Sequence, residues 1–438
     1  MAPLERYRVP ADPTGGGCAV RLVVRKERDT QARHGMRRNL VVLLGATALT
    51  AATLTGGTGT AAPAGRLVTY HGVSLRVPAS WPVIDLDRHP ATCARLDRHA
   101  VYLGTPGDTA ACPPRILGRT ETISLRPAAA TAAPGSTVVP HGVPEAASRS
   151  TDHTGRYALA AAGVELTTTY GSRPELVDDV LATARVTESA RPRTIRPAEA
   201  APTSAMTKVP GSFRGYGFDT CAAPSSATMD AWLKKARFRA VGVYIGGGDL
   251  GCPNQENLNP SWVSRQTKKG WHVFAMYVGR QAPCSKEPYR IGGVKKAAGQ
   301  ARSDALDAVR QAAHYGLARG SIIMHDMEWY PRGGSCSTAV LKYLSQWTAT
   351  INAHHYRSGV YSSRAAAIDE LTAARKAGTH RMPGTIDFAQ WDEKPTVHSR
   401  HIPEKYWVRH RMKQYRGAHN ETHGGVTLNI DCDWLNVH

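Results

Sequence analysis

No stretch of the 438 residues holds the roughly 20 consecutive apolar side chains that span a bilayer; the longest apolar run, Leu40 to about Leu54, falls short. There is no CxxC pair, and no Cys/His spacing of a structural zinc site; the 18 histidines show no ligand spacing. The Gly246-Gly-Gly-Asp run lacks the Lys-Ser/Thr of a phosphate loop. No metal and no cofactor is expected on this reading. Acidic residues are scarce, 35 against 55 Lys and Arg, for a formal net charge of +20. Such a balance favours polyanionic surroundings. Yet the basic residues are scattered, none of them forms a recognition-helix run, and aromatics do not interleave with them on a strand pair. Nucleic acid is therefore not the expected partner, whereas an anionic wall polymer would attract the same charge.

The apolar run follows Met36-Arg-Arg-Asn and ends in the small residues Gly57-Thr-Gly-Thr-Ala-Ala-Pro-Ala. A short positive head, a short apolar stretch and a small-residue end predict a signal peptide, so residues 1–62 are read as N-terminal extension and export signal, with Met36 a candidate start. Arg37-Arg38 suits a twin-arginine signal and an ordinary one equally. The chain after cleavage is expected outside the membrane, secreted and associated with the cell wall, with no remaining span; composition says nothing of its oligomeric state. Of eight cysteines, Cys18 lies in the extension and seven remain, which in an exported chain predicts disulfides and one leftover thiol. Cys93 and Cys112 are natural partners. Cys221, Cys252, Cys284, Cys336 and Cys432 cannot all pair, and Cys252 with Cys284 is the bridge expected at the rim described below.

The length predicts two domains. Residues 66–186 open on the alternating Leu67-Val-Thr-Tyr and Val73-Ser-Leu-Arg-Val and close on a helical Pro174–Ala184 segment, predicting a small α+β domain without a catalytic cluster and without an assignable role. Pro127–Pro144 is read as a mobile loop within it, and Pro/Ala-rich 187–211 as a disordered linker. From 212 to 438, strand-length segments alternate with helical ones: Gly215–Asp219, Ala240–Ile245, His272–Val278, Ser321–Asp326, Ser358–Tyr361, Thr385–Gln390, Met412–Tyr415 and Leu428–Asp431. Eight such strands predict an α/β fold, a closed parallel (β/α)8 TIM-like barrel, with an open doubly wound sheet as its competitor.

Strand four ends His325-Asp326-Met327-Glu328. Side chains alternate along a strand, so Asp326 and Glu328 share a side, and inward-facing Ile322 and Met324 would put both at the C-terminal mouth where barrel enzymes work. The first strand ends at Asp219 and the last at Asp431-Cys432-Asp433. Crowded carboxylates disfavour joint ionisation, so one keeps its proton and becomes a usable acid. Glycosidic cleavage needs such an acid. Glu328, with the longer reach, is assigned to protonating the leaving oxygen; Asp326 and one of Asp219 or Asp431 are assigned to orienting water or stabilising positive charge. Tyr277, Tyr361, Trp391 and Tyr415 are expected to stack on sugar rings, and Gln390 and Gln414 to bind hydroxyls.

The motifs Gly215-Tyr-Gly-Phe-Asp-Thr-Cys-Ala-Ala-Pro-Ser, Val243-Tyr-Ile-Gly-Gly, Tyr277-Val-Gly-Arg-Gln-Ala-Pro-Cys, Asp326-Met-Glu, Ser358-Gly-Val-Tyr-Ser-Ser, Phe388-Ala-Gln-Trp, Gln414-Tyr and Asp431-Cys-Asp resemble the Rv2525c-like glycoside-hydrolase-like family (DUF1906), itself similar to the family-25 lysozymes. The resemblance covers the C-terminal half only. It implies that Asp219, Asp326, Glu328 and Asp431 share the pocket, with Glu328 at the position of the catalytic acid, and that peptidoglycan or a related polysaccharide is the substrate class. A glycan-binding wall protein that keeps the pocket without turnover is the alternative.

Overall fold

The computed structural model describes residues 65–438, apart from 108–111, 113–116, 134, 188–193, 198–205 and 253–254. The expected export signal therefore lies outside the described residues. No described helix is long and apolar enough to cross a membrane.

The first strands form where apolar residues alternate. β1 (Arg66–Tyr70) and β2 (Val73–Val77) pair across His71-Gly72, both at positive φ as a tight hairpin turn requires, and β9 (Arg185–Val186) completes a three-stranded sheet. A six-stranded sheet runs in the order β3 (Val83–Asp85), β4 (Ala100–Leu103), β5 (Thr122–Pro127), β8 (Val164–Thr169), β7 (Thr154–Leu159), β6 (Thr137–Val139). Helix α1 (Glu175–Ala182) buries Val177, Val180 and Leu181 in the same core as Val73, Leu75, Ile123 and Leu166. Pro127–Pro144 is not a loose loop where described: β6 pairs with β7 inside it, and Ala128 and Ala132 are buried with Ile195. The stretch read as a disordered linker is also tied down where described, by an Arg196–Thr131 bridge and by Thr207 and Val209 against the barrel. Small alanines and an isolated Ile or Val supply these contacts without any periodicity.

Eight strands then close into a barrel: β10 (Phe213–Asp219), β11 (Ala240–Gly246), β12 (His272–Tyr277), β13 (Ile322–Met327), β14 (Arg357–Ser363), β15 (Thr385–Ala389), β16 (His410–His423) and β17 (Val426–Val437). Seven run parallel. The eighth corrects the all-parallel expectation, because β17 is antiparallel to both β16 and β10. Its cause is local: Gly424-Gly425, at φ 60° and 80°, makes a two-residue hairpin that leaves no room for a crossover helix. Asp431 is thus not at a strand end but opposite Asp219 partway along β17.

Helices α2 (Ser226–Lys235), α3 (Pro260–Lys268), α4 (Ala297–His314), α5 (Gly334–Ala353) and α6 (Asp369–Ala377) follow β10 to β14, with a π-helical turn Arg364–Ile368 leading into α6. Ser225 and Asn259 cap α2 and α3 by accepting from Thr228 N and Trp262 N, and Gly378 in the left-handed region ends α6. Alternation divides the strands. One face, with Val241, Val243, Val273 and Ile323, packs outward on the helices; the other, with Ala240, Phe274, Met276, Ile322, Met324, Met412, Leu435 and Val437, fills the barrel.

The first sheets meet the barrel near its β11 loop. Leu117 bridges Leu250, Gly118 N donates to Asp249 O, and fully buried Arg119 donates to Leu250 O at 2.8 Å, to Thr154 Oγ1 at 2.6 Å and to Asp152 O. Three disulfides form. Cys93–Cys112 is as expected; the Cys252–Cys284 bridge is not made, because Cys252 meets Cys221 (Cα–Cα 5.3 Å) and Cys284 meets Cys336 at the start of α5 (Cα–Cα 5.9 Å). Cys432 is the free thiol among the described residues.

Candidate active site

Inward-facing positions on the upper barrel are carboxyl-bearing to an unusual degree. Asp219, Asp326, Asp387 and Asp433 are buried inside it, and Asp431 and Glu328 stand above them. Glu328 and Asp431 line an open hollow of about 420 Å³ together with Tyr244, Tyr361, Trp391 and Gln414, with Leu117 of the preceding sheet region at its edge. The four acids expected to converge do so on two levels. Asp326 lies a layer below Glu328, and neither of its oxygens is hydrogen-bonded.

Hydrogen bonds fix the wall. Tyr244 OH donates to Asp219 Oδ1 at 2.8 Å, and Gln414 Nε2 donates to Asp219 Oδ2 at 3.0 Å. Gln414 Oε1 accepts from Tyr361 OH at 2.9 Å and from Trp391 Nε1 at 3.0 Å, so one amide joins the floor to two aromatic walls. Gln281, buried between β12 and β13, donates to Asp326 O at 2.9 Å and accepts from Glu328 N at 2.8 Å, holding the end of β13 in place.

Burial pushes Asp326, Asp387, Asp431 and Asp433 well above the usual carboxylate range, and their mutual repulsion adds to it: Glu328, Asp219 and Asp387 on Asp326, and Asp219 and Glu328 on Asp431. Asp219 is raised by burial too, but the bonds from Tyr244 and Gln414 and the contact with Asp433 oppose it. The Asp219–Asp433 contact joins two carboxyls, which are compatible only when one keeps its proton. Asp219 is the floor acid best supplied with donors, and so the best placed to carry negative charge.

Tyr361, Trp391 and Gln414 line the hollow. Three other expected contacts do not. Tyr277 is the outward neighbour of Met276 and donates to Asp307 Oδ2 at 2.8 Å beneath α4. Tyr415 is the outward neighbour of Gln414, buried against Arg237. Gln390 turns into the loop after β15, donating to Asp392 Oδ2 at 2.7 Å and accepting from Ser399 Oγ at 3.0 Å. Parity along β12 and β16 excludes the first two from the interior. The same parity points to residues the sequence reading passed over: Tyr244, Asp387 and Asp433 share the inward register of Gly242, Ala389 and Asp431. Gln281 carries no such signal, since its role comes from a loop.

Residues 230–435, just under half of the chain, match the Rv2525c-like, glycoside hydrolase-like domain. The match takes in Asp326, Glu328, Asp431 and Asp433; Asp219 precedes it. Similar solved structures include the Mycobacterium tuberculosis Tat-secreted protein Rv2525c in complex with L-tartrate, 16% identical over 51% of this chain and 96% of that one with a TM-score of 0.36. Others are an uncharacterized B. stearothermophilus protein (14%, 50% and 95%, TM-score 0.32) and the modular autolysin LytC from Streptococcus pneumoniae (13%, 50% and 46%, TM-score 0.33). No curated protein matches the chain.

Proposed function

We propose that this chain is an exported glycoside hydrolase acting on peptidoglycan or a related cell-wall polysaccharide, with Glu328 as its general acid. The observation that carries the reading is the grouping of Glu328 and Asp431 on a sugar-sized, aromatic-walled hollow above the buried aspartates Asp219, Asp326, Asp387 and Asp433. Glu328 protonates the leaving oxygen. Asp219, charged and held by Tyr244 and Gln414, stabilises positive charge at the anomeric carbon, while Asp431 orients water. Asp326, sealed below, does not touch the sugar. Trp391, 66% exposed, offers a stacking face, and Tyr361 a second. Export rests on the sequence signal, with three disulfides compatible with an oxidising compartment.

The degree to which burial neutralises the acids favours one second reading. A hollow that holds protons more than charge can bind hydroxyls without turnover, and the protein would then be a glycan-binding wall protein. Release of reducing ends from purified peptidoglycan separates the two. The hydrolase reading expects release by the full chain and a fall of about 10²–10⁴-fold in Glu328→Gln, with glycan binding kept. Undiminished glycan pull-down with no product from the wild type would establish the binder instead.

A further inference from the structure

On the far side of β17 from the acids, four side chains crowd together that the proposed hydrolysis does not use. His419, Glu421 and His423 alternate on one face of β16, and Cys432 of β17 faces the same way, behind Asp431 and Asp433. His419 Nε2 is 2.9 Å from Glu421 Oε1, while Cys432 Sγ is 3.9 Å from His419 Nε2 and 3.7 Å from Glu421 Oε1. These three atoms, one nitrogen, one oxygen and one sulfur, all lie within 4.8 Å of one another. Ligands around a tetrahedral zinc ion stand roughly 3.3–3.7 Å apart, as follows from bonds of about 2.0–2.3 Å; the 3.7 Å gap fits as it stands, while the 2.9 Å gap must open and the 3.9 Å gap close by a few tenths of an ångström to admit the ion.

The hydrogen-bond pattern sharpens the point. His419 Nδ1 lies 2.9 Å from Gly417 O, an acceptor, so this nitrogen carries the proton. A neutral ring then turns the Nε2 lone pair toward a carboxylate oxygen, which is repulsive unless a positive charge stands between them. That charge is either a second proton on the ring or a metal ion. An imidazole whose far N–H is held by a backbone carbonyl is the usual posture of a metal-bound histidine. Glu421 is braced as well, its Oε2 accepting from His423 Nε2 at 2.8 Å. The side chains of His419 and Glu421 are 16% and 17% exposed, near enough to the surface for an ion and a water to enter.

We infer that His419 Nε2, Glu421 Oε1 and Cys432 Sγ form a zinc(II) site on the outer face of the last hairpin, with water as fourth ligand and His423 bracing the carboxylate. Mixed N, O and S donors select zinc over calcium or magnesium, which take oxygen alone. The ion clips β16 to β17 back to back with Asp431 and Asp433. The ligands come from His-x-Glu on one strand and a lone cysteine on the next, a pattern without recognisable spacing, which is why the sequence reading expected no metal.

The test uses the full chain, stripped with chelator and titrated with zinc(II) by calorimetry, then with cobalt(II) as a spectroscopic stand-in. Expected are one zinc per chain, a rise in Tm on binding and a thiolate-to-cobalt charge-transfer band. His419→Ala and Cys432→Ser should each weaken zinc binding by about 100-fold or more and remove the rise in Tm. Because the buried Cys432→Ser change risks the fold, His419→Ala, at a partly buried position near the surface and with its metal-free Tm compared to wild type, carries the decision. Absence of a one-to-one isotherm, zinc binding unaltered in His419→Ala, or a cobalt complex lacking the thiolate band would each overturn the site.

Discussion

At the scale of single residues, Gln414 does more than any other side chain of the hollow. Its amide joins Asp219, Tyr361 and Trp391, three groups from three strands or loops. Gln414→Ala leaves two donors and one carboxylate oxygen without this partner. It is expected to cost about 1–3 kcal/mol in chemical denaturation, and to weaken glycan binding by freeing Trp391. Gln414→Glu tests the donor specifically: the new carboxyl can still accept from Tyr361 and Trp391 but faces Asp219 as another acid, so glycan binding should depend more steeply on pH than in the wild type. Much of this residue-level picture was legible. Asp219, Asp326 and Glu328 follow from strand ends and alternation, Asp431 from alternation although not from a strand end, and Tyr361 and Gln414 from the same count. Tyr277 and Tyr415 were placed one residue out of register, because an aromatic at a strand end reads alike whichever face it takes. Gln281 acts through a loop, where no periodicity exists to be read.

At the scale of elements, the β16–β17 hairpin decides how the barrel closes. Its turn needs two left-handed residues, and Gly424-Gly425 provides them at φ 60° and 80°. A Cβ on Gly425 meets nothing within 4 Å, whereas one on Gly424 would lie 2.8 Å from Ala231 O of α2. Gly425→Ala should therefore cost only the conformational penalty, about 1–2 kcal/mol, and Gly424→Ala measurably more, in urea unfolding of the two variants side by side. The eight strands were legible as segments, but the direction of the last was not: the glycine pair was available in the sequence, yet the barrel template supplied a parallel strand in its place. Likewise the disulfides depend on loop approach, which cysteine order does not encode.

At the scale of the whole molecule, buried titratable groups set the pH response. Asp219, Asp326, Asp387, Asp431 and Asp433 are raised chiefly by burial, and Asp307 is raised from 3.8 to about 6 by burial and by Asp152. Each binds its proton more tightly folded than unfolded. Its contribution is complete below the unfolded value and is lost as pH rises through the folded one, which for Asp307 lies between 3.8 and about 6. His153 and His314, lowered by burial to about 4, and His325, lowered to about 3, act oppositely, losing stability as pH falls below 6.5. The raised acids outnumber these histidines, so Tm should rise as pH falls from 7 toward 5 and drop again below about 4, where Asp152, Glu121, Asp178 and Asp392, held low by their hydrogen bonds and ion pairs, take up protons. A calorimetric series across that range checks this; a Tm falling steadily from pH 7 downward contradicts the assigned burial.

The way the barrel is filled has one more consequence. Beneath the acids, Ile322, Met324, Met412, Leu435 and Val437 fill the bore largely with hydrocarbon. Protons on Asp326, Asp387 and Asp433 therefore come and go by a single door. A ligand seated in that doorway would cover the acids beneath it, and proton exchange at Asp326, Asp387 and Asp433 is expected to slow while it stays.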